Sequence, residues 1–246
     1  MELPEGFKKK CSEAKSVVFF TGAGVSAESG IPTFRGEDGL WRKFRAEEIA
    51  SLDALYNNTK EFFEFYRERF LSLRDKLPNP GHYAISEMES VFPDVSVITQ
   101  NIDGLHRKAG SKQVFEIHGS IFYEYCQSCR YRQRVPDERD EEVPRCPKCD
   151  GLLRPDVVLF GEAMHEPDWS KAYTAASSAD IFFSVGTSAL VYPAASLPFV
   201  ALERGAYIVE VNPADTPFSR YANFVLHGKS GEILPELVRA IREIKG

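Results

Sequence analysis

Four cysteines fall as Cys126-x-x-Cys129 and Cys146-x-x-Cys149, with sixteen residues between the pairs. A C-x-x-C knuckle turns both thiolates to one side, and a second knuckle completes a tetrahedral set at about 2.3 Å from a zinc ion, with no position left for water. The expected metal is therefore structural, it defines a small satellite module, and the chemistry lies elsewhere. Two disulfides in a secreted chain are the alternative. Against them, no apolar signal segment precedes residue 10, and the only other cysteine is Cys11.

The chain has 246 residues, enough for one large domain with an insertion. With 43% hydrophobic and 27% charged residues it reads as a globular protein, and no apolar run approaches the roughly 18 residues that would span a bilayer. We expect a cytoplasmic monomer with no membrane partner. A net charge of −6 argues against broad attachment to nucleic acid and leaves room for a cationic peptide.

Short apolar runs at Val17–Thr21, Val95–Thr99, Val157–Phe160, Ile181–Val185 and Tyr207–Val211 are bounded by turn-forming residues and read as strands of a parallel sheet. Amphipathic stretches at Asp168–Ser178, Ala189–Arg204 and Glu232–Lys245 suit crossover helices. The expected fold is α/β, a Rossmann-like doubly wound sheet over residues 1–36, 93–120 and 155–246. A helical insertion at 37–92 and a zinc module at 121–154 form the smaller domain. The acidic run Asp137–Glu142 reads as a solvated loop.

After the first run comes Gly22-Ala23-Gly24-Val25-Ser26-Ala27, a G-x-G-x-x-A pattern whose glycines would let backbone amides approach a pyrophosphate. Gly30 and Pro32 leave little room for a long helix, and Thr33-Phe34-Arg35-Gly36 continues as a loop able to fold over a bound dinucleotide.

Along the chain follow Gly22 to Arg35 (GAGVSAESGIPTFR), Thr99 to His106 (TQNIDGLH), His118-Gly119, the four cysteines, Val158-Leu159-Phe160-Gly161-Glu162, Gly186-Thr187-Ser188 and Val211-Asn212-Pro213. Taken together, these motifs resemble those of the sirtuins, NAD-dependent protein-lysine deacylases. The resemblance implies that NAD is consumed as a co-substrate. The acyl-lysine amide oxygen attacks C1′ of the nicotinamide ribose, a base helps a ribose hydroxyl attack the acyl carbon, and the products are free lysine, nicotinamide and 2′-O-acyl-ADP-ribose. His118 is the candidate base, and an ordinary imidazole pKa of about 6.5 suits that task. By the same resemblance, Asn101 and Asp103 hold the ribose and the nicotinamide carboxamide, with Gln100 and the Ile102 amide beside them. Gly22, Ala23, Gly24, Ala27, Glu28, Thr33, Phe34, Arg35 and Trp41 belong to the NAD side. Gly186, Thr187, Ser188, Asn212 and Pro213 serve the phosphates and adenosine ribose, and Ser230 the adenine end. Val158, Phe160, Gly161 and Glu162 match the edge on which an acyl-lysine peptide lies as an added strand.

The acyl group is addressed by Tyr66-Arg67-Glu68-Arg69 on the helical stretch Thr59–Leu77. Tyr66 and Arg69 stand three apart and share a face with Phe62 and Leu73, which sets the cation beside an apolar wall. A guanidinium and a phenol offer a fork to a carboxylate, as a succinyl, malonyl or glutaryl group presents. This resembles the Tyr-x-x-Arg motif of desuccinylase-type sirtuins, with Ala46 leaving room for a longer chain. Deacetylation is expected alongside. The competing readings are a deacetylase without acidic-acyl preference and an NAD-dependent mono-ADP-ribosyltransferase, which shares the first step.

Overall fold

The structure, a computed structural model, describes residues 1–33, 46–139 and 141–246, apart from the side chains of Ala46 and Glu47. Its strands are β1 (Ser16–Thr21), β2 (Asp94–Thr99), β3 (Val114–Glu116), β4 (Gly119–Cys126), β5 (Arg132–Arg134), β6 (Leu153–Val157), β7 (Ile181–Val185), β8 (Tyr207–Asn212) and β9 (Phe224–His227). The helices are α1 (Glu5–Glu13), α2 (Ala46–Ile49), α3 (Leu52–Asn57), α4 (Thr59–Leu73), α5 (Pro80–Glu87), α6 (Leu105–Lys108), α7 (Asp168–Ser178), α8 (Leu197–Glu203) and α9 (Ser230–Lys245).

Six strands form a parallel sheet in the order β3-β2-β1-β7-β8-β9. The central strands bury both faces, which is why β1 and β7 read as continuous apolar runs. One face packs on α1, α5 and α9 through Phe7, Ile85, Leu237 and Ile241, and the other on α7 and α8 through Ala172, Ala176, Leu197 and Ala201. The strand order reverses between β1 and β7, so the crevice at their carboxyl ends is where such a sheet receives a ligand.

A second, antiparallel sheet, β5-β4-β6, carries the cysteines, and its apolar side meets α3 and α4 in a separate core around Leu55, Phe62, Tyr66, Phe70, Ile121 and Leu159. Among the described residues, no helix is long and apolar enough to cross a membrane.

Four sequence expectations shift. Val157–Phe160 is not a strand of the parallel sheet; β6 ends at Val157 and pairs antiparallel with β4, because an apolar run alone does not distinguish the two kinds of buried strand. The helical insertion does not run to residue 92, since Ala84, Ile85, Met88 and Phe92 pack in the core of the parallel sheet. Ala189–Arg204 is not one helix: Pro193 and Pro198 lack the amide a helix interior needs, and only Leu197–Glu203 is α-helical, behind a 3₁₀ turn at Ala194–Ser196. The helix expected over Thr59–Leu77 stops at Leu73.

Candidate active site

The loops at the carboxyl ends of β1, β2, β7 and β8 converge. The Gly22–Gly24 turn lies directly on Gly186: Gly24 N donates to Gly186 O at 2.8 Å, and a Cβ on Gly24 would stand 2.7 Å from the Gly186 Cα. The glycines thus serve the approach of one loop to the other, since the Gly24 amide is already engaged. A 3₁₀ segment, Ala23–Ser29, follows in place of a long helix, as Gly30 and Pro32 foretold.

After β2, Gln100, Asn101 and Asp103 turn toward these loops. Gln100 Nε2 donates to Thr187 Oγ1 at 2.8 Å. Asn101 Nδ2 donates to Gly22 O at 3.0 Å and Ser26 Oγ at 3.1 Å. Asp103 accepts Ser26 Oγ at 2.7 Å and Leu105 N at 3.0 Å. Burial pushes the Asp103 carboxyl up, while these two donors and the neighbouring Arg69 favour its charged form. Asn212 Nδ2 donates to Thr187 O at 2.9 Å, tying the β8 loop to the β7 loop. Ile102 and Ser188 are half-buried beside these groups, whereas Pro213 is exposed.

Ala27 and Glu28 are exposed, and the Glu28 carboxylate accepts Gly231 N at 2.7 Å and Ser230 Oγ at 3.4 Å. Glu28 therefore fastens the start of α9, and with it Ser230, to the glycine loop. Ala23 and Thr33 are half-buried on this loop. Phe34, Arg35 and Trp41 lie outside the described residues, as does the side chain of Ala46.

His118 sits between β3 and β4 with Nδ1 2.9 Å from Gln100 O. A carbonyl only accepts, so the proton is on Nδ1 and the lone pair on Nε2. Burial lowers the imidazole below its ordinary value, against the opposing pull of that carbonyl, so the ring is neutral at pH 7. Gly119 allows the next residue to pass the neighbouring strand: its φ is +78°, and a Cβ there would lie 2.1 Å from Asp156 O. His118 O in turn accepts Val158 N at 3.0 Å, which links the candidate base to Val158, Phe160, Gly161 and Glu162. Phe160 and Gly161 are exposed, whereas the Glu162 carboxylate is bound to Arg154 and Leu159 N.

Tyr66 is buried on α4, with ring centroids 4.7 Å from Phe62 and 5.2 Å from Phe65. Burial raises its hydroxyl, and the Arg154 and Glu162 charges act on it. Arg69 is half-buried and feels the Asp103 charge, while burial lowers its pKa.

Sequence reasoning missed three groups. Ser26 Oγ lies 3.4 Å from His82 Nε2, and the His82 and His106 rings are 4.8 Å apart. His106 Nε2 lies 2.9 Å from Thr21 Oγ1. Asn79 N donates to His82 Nδ1, so His82 Nε2 carries the proton and points it at Ser26. The Asn79-Pro80 helix start that fixes His82 was the available signal.

The four cysteine sulfurs lie within 4.8 Å of one another, with Cys126–Cys149 at 3.5 Å and Cys129–Cys146 at 3.6 Å. A tetrahedron of 2.3 Å bonds has edges of about 3.8 Å, so the set fits zinc and not disulfides. The two knuckles repeat one turn: Arg130 N donates to Cys126 O and Asp150 N to Cys146 O, each at 2.9 Å. The zinc is structural, and β4 joins this site to His118 over roughly 20 Å of strand.

The Sir2 family model matches residues 22–193. An NAD-dependent protein deacylase of Pyrococcus furiosus is 48% identical over 242 residues, covering 96% of this chain and 97% of its own. A Sir2 homolog–NAD complex is 42% identical with a TM-score of 0.91, over 100% of this chain and 96% of that one. A Sir2–p53 peptide–NAD+ structure is 33% identical with a TM-score of 0.87, over 98% of both chains.

Proposed function

The chain belongs to the Sir2 family and is an NAD-dependent protein deacylase, and from that premise we propose that it removes acidic acyl groups from lysine as well as acetyl. The observation that carries the finer reading is the placement of Arg69, half-buried, three residues from the buried Tyr66 and next to the β2 loop. A desolvated guanidinium gains more from a carboxylate than an exposed one, and a charge-assisted bond is worth about 1.5–3 kcal/mol.

In this reading the substrate peptide lies along Val158–Gly161 and its acyl-lysine enters toward Tyr66 and Arg69. NAD supplies the ribosyl group that accepts the acyl oxygen as nicotinamide leaves. Asn101 and Asp103 orient that end of NAD, with Ser26 holding both: its hydroxyl accepts from Asn101 and donates to Asp103. Gln100, Thr187 and Asn212 brace the loops that receive the rest of the dinucleotide. His118 takes the ribose hydroxyl proton on Nε2, its ring fixed by Gln100 O.

One observation favours the second reading, a deacetylase without acidic preference: Arg69 already lies in the field of Asp103, which offsets part of its attraction for a further carboxylate. Arg69→Met separates the two. Acidic-acyl recognition predicts a loss of about 30-fold or more in desuccinylation kcat/KM with deacetylation within about threefold. Equal losses on both peptides leave Arg69 without a role in acyl choice.

A further inference from the structure

Arg154 takes no part in the steps above, yet it heads the side chains fully removed from solvent. Its Nη1 and Nη2 donate to the two carboxylate oxygens of Glu162 at 2.6 and 2.9 Å. Nη2 also donates to Val157 O at 2.6 Å and Nε to Pro155 O at 3.3 Å, and the Tyr125 ring centroid is 5.2 Å from the guanidinium carbon. One side chain thus ties together the path from Pro155 to Glu162.

That path is closed from both ends. Glu162 N donates to Leu159 O at 3.0 Å, Glu162 Oε2 accepts Leu159 N at 2.9 Å, and Gly161 takes the positive φ, +90°, that the turn requires. On one side Val158 N is bound to His118 O; on the other Phe160 N donates to Ala50 O at 2.9 Å. The result is a short edge held between the candidate base and the helical module, with Phe160 and Gly161 facing outward.

A buried ion pair is a poor device for stability, because desolvation consumes most of its attraction and an apolar pair of similar volume often does as well. What a bidentate Arg–carboxylate pair adds is fixed geometry. We propose that Arg154 is a positioning residue for the substrate peptide: through Glu162 it holds the Leu159–Glu162 turn in the shape that receives the added strand. The proposal rests on the reading of Val158–Gly161 as the peptide edge. The buried Tyr66 hydroxyl of α4 feels the charges of the same ion pair.

The test is steady-state kinetics on Glu162→Gln and Arg154→Lys with one acyl-lysine peptide, varying peptide and NAD separately, with thermal unfolding of each variant alongside. Neither Gln nor Lys makes a charged bidentate pair, so both are expected to raise peptide KM about tenfold while kcat and NAD KM stay within about twofold. Glu162→Gln changes a side chain that is 19% exposed and carries the test if Arg154→Lys does not fold. Peptide KM and NAD KM rising together would mark a general loss of structure and overturn the proposal. Phe160→Ala reads the edge independently: if it raises peptide KM and the other two do not, the edge stands and the role of Arg154 falls. If none of the three raises peptide KM, the edge reading itself fails.

Discussion

Ser26 Oγ donates a 2.7 Å hydrogen bond to Asp103 Oδ2, and it does so because every other neighbour gives it a proton. Asn101 Nδ2 reaches Ser26 Oγ at 3.1 Å, and the protonated Nε2 of His82 lies at 3.4 Å. The hydroxyl hydrogen therefore has Asp103 as its acceptor, which supports the charged carboxylate that burial opposes.

With Asp103 in its proposed role at the nicotinamide, removing that donor should weaken this end of the site. Ser26→Ala is expected to lower kcat/KM for NAD by about 10–100-fold, as loss of a buried bond to a charged group costs about 1.5–3 kcal/mol, with peptide KM nearly unchanged. Separate titrations of NAD and peptide check this.

The same chain predicts an acid-labile fold. Burial pushes the His82 imidazole down to about 4 from 6.5. A depressed histidine disfavours the folded protein only where the unfolded chain is protonated, so the stability from a neutral His82 is whole above pH 6.5. It is lost as pH falls from 6.5 toward 4, to a total of up to about 3 kcal/mol. Denaturant melts from pH 7.5 to 4.5 should show this loss, and His82→Gln should flatten it.

The proposed role of His118 as the base predicts an acid limb of the rate. As a base it works unprotonated, and burial lowers its pKa, so kcat should fall on acidification with a midpoint below 6.5. His118→Ala should cost about 10²–10⁴ in kcat and abolish that limb, while nicotinamide exchange, which needs only the first step, falls less.

Zinc removal should reach the active site through β4. Chelation, or Cys129→Ser, frees the knuckles at Cys126 and Cys146, and the strand that begins directly after His118 loses its distal anchor. Activity should fall together with released zinc, and the unfolding midpoint should drop by several degrees, because a structural site contributes folding free energy directly.

Much of this was legible in the sequence where one residue type had one use. β7 and β8 read directly because both faces are buried, and the cysteine spacing led to the geometry of the cluster. The run Val157–Phe160 did not read correctly, since strand direction depends on the partner that β4 provides. His82 and His106 were invisible as a unit because α5 and α6 bring them together only in the fold. Arg154, five residues past Cys149, carried no signal of its own in the sequence; its burial depends on a carboxylate eight residues away. The glycine loop read correctly as a loop, but the motif gave no sign that Gly24 is fitted to Gly186.

The most direct measurement is the NAD-dependent turnover of matched succinyl-lysine and acetyl-lysine peptides by the purified protein, with nicotinamide and 2′-O-acyl-ADP-ribose quantified by mass spectrometry. The account predicts products from both peptides, absent without NAD, and a higher kcat/KM for the succinyl peptide. Turnover of the acetyl peptide alone would contradict the role given to Tyr66 and Arg69.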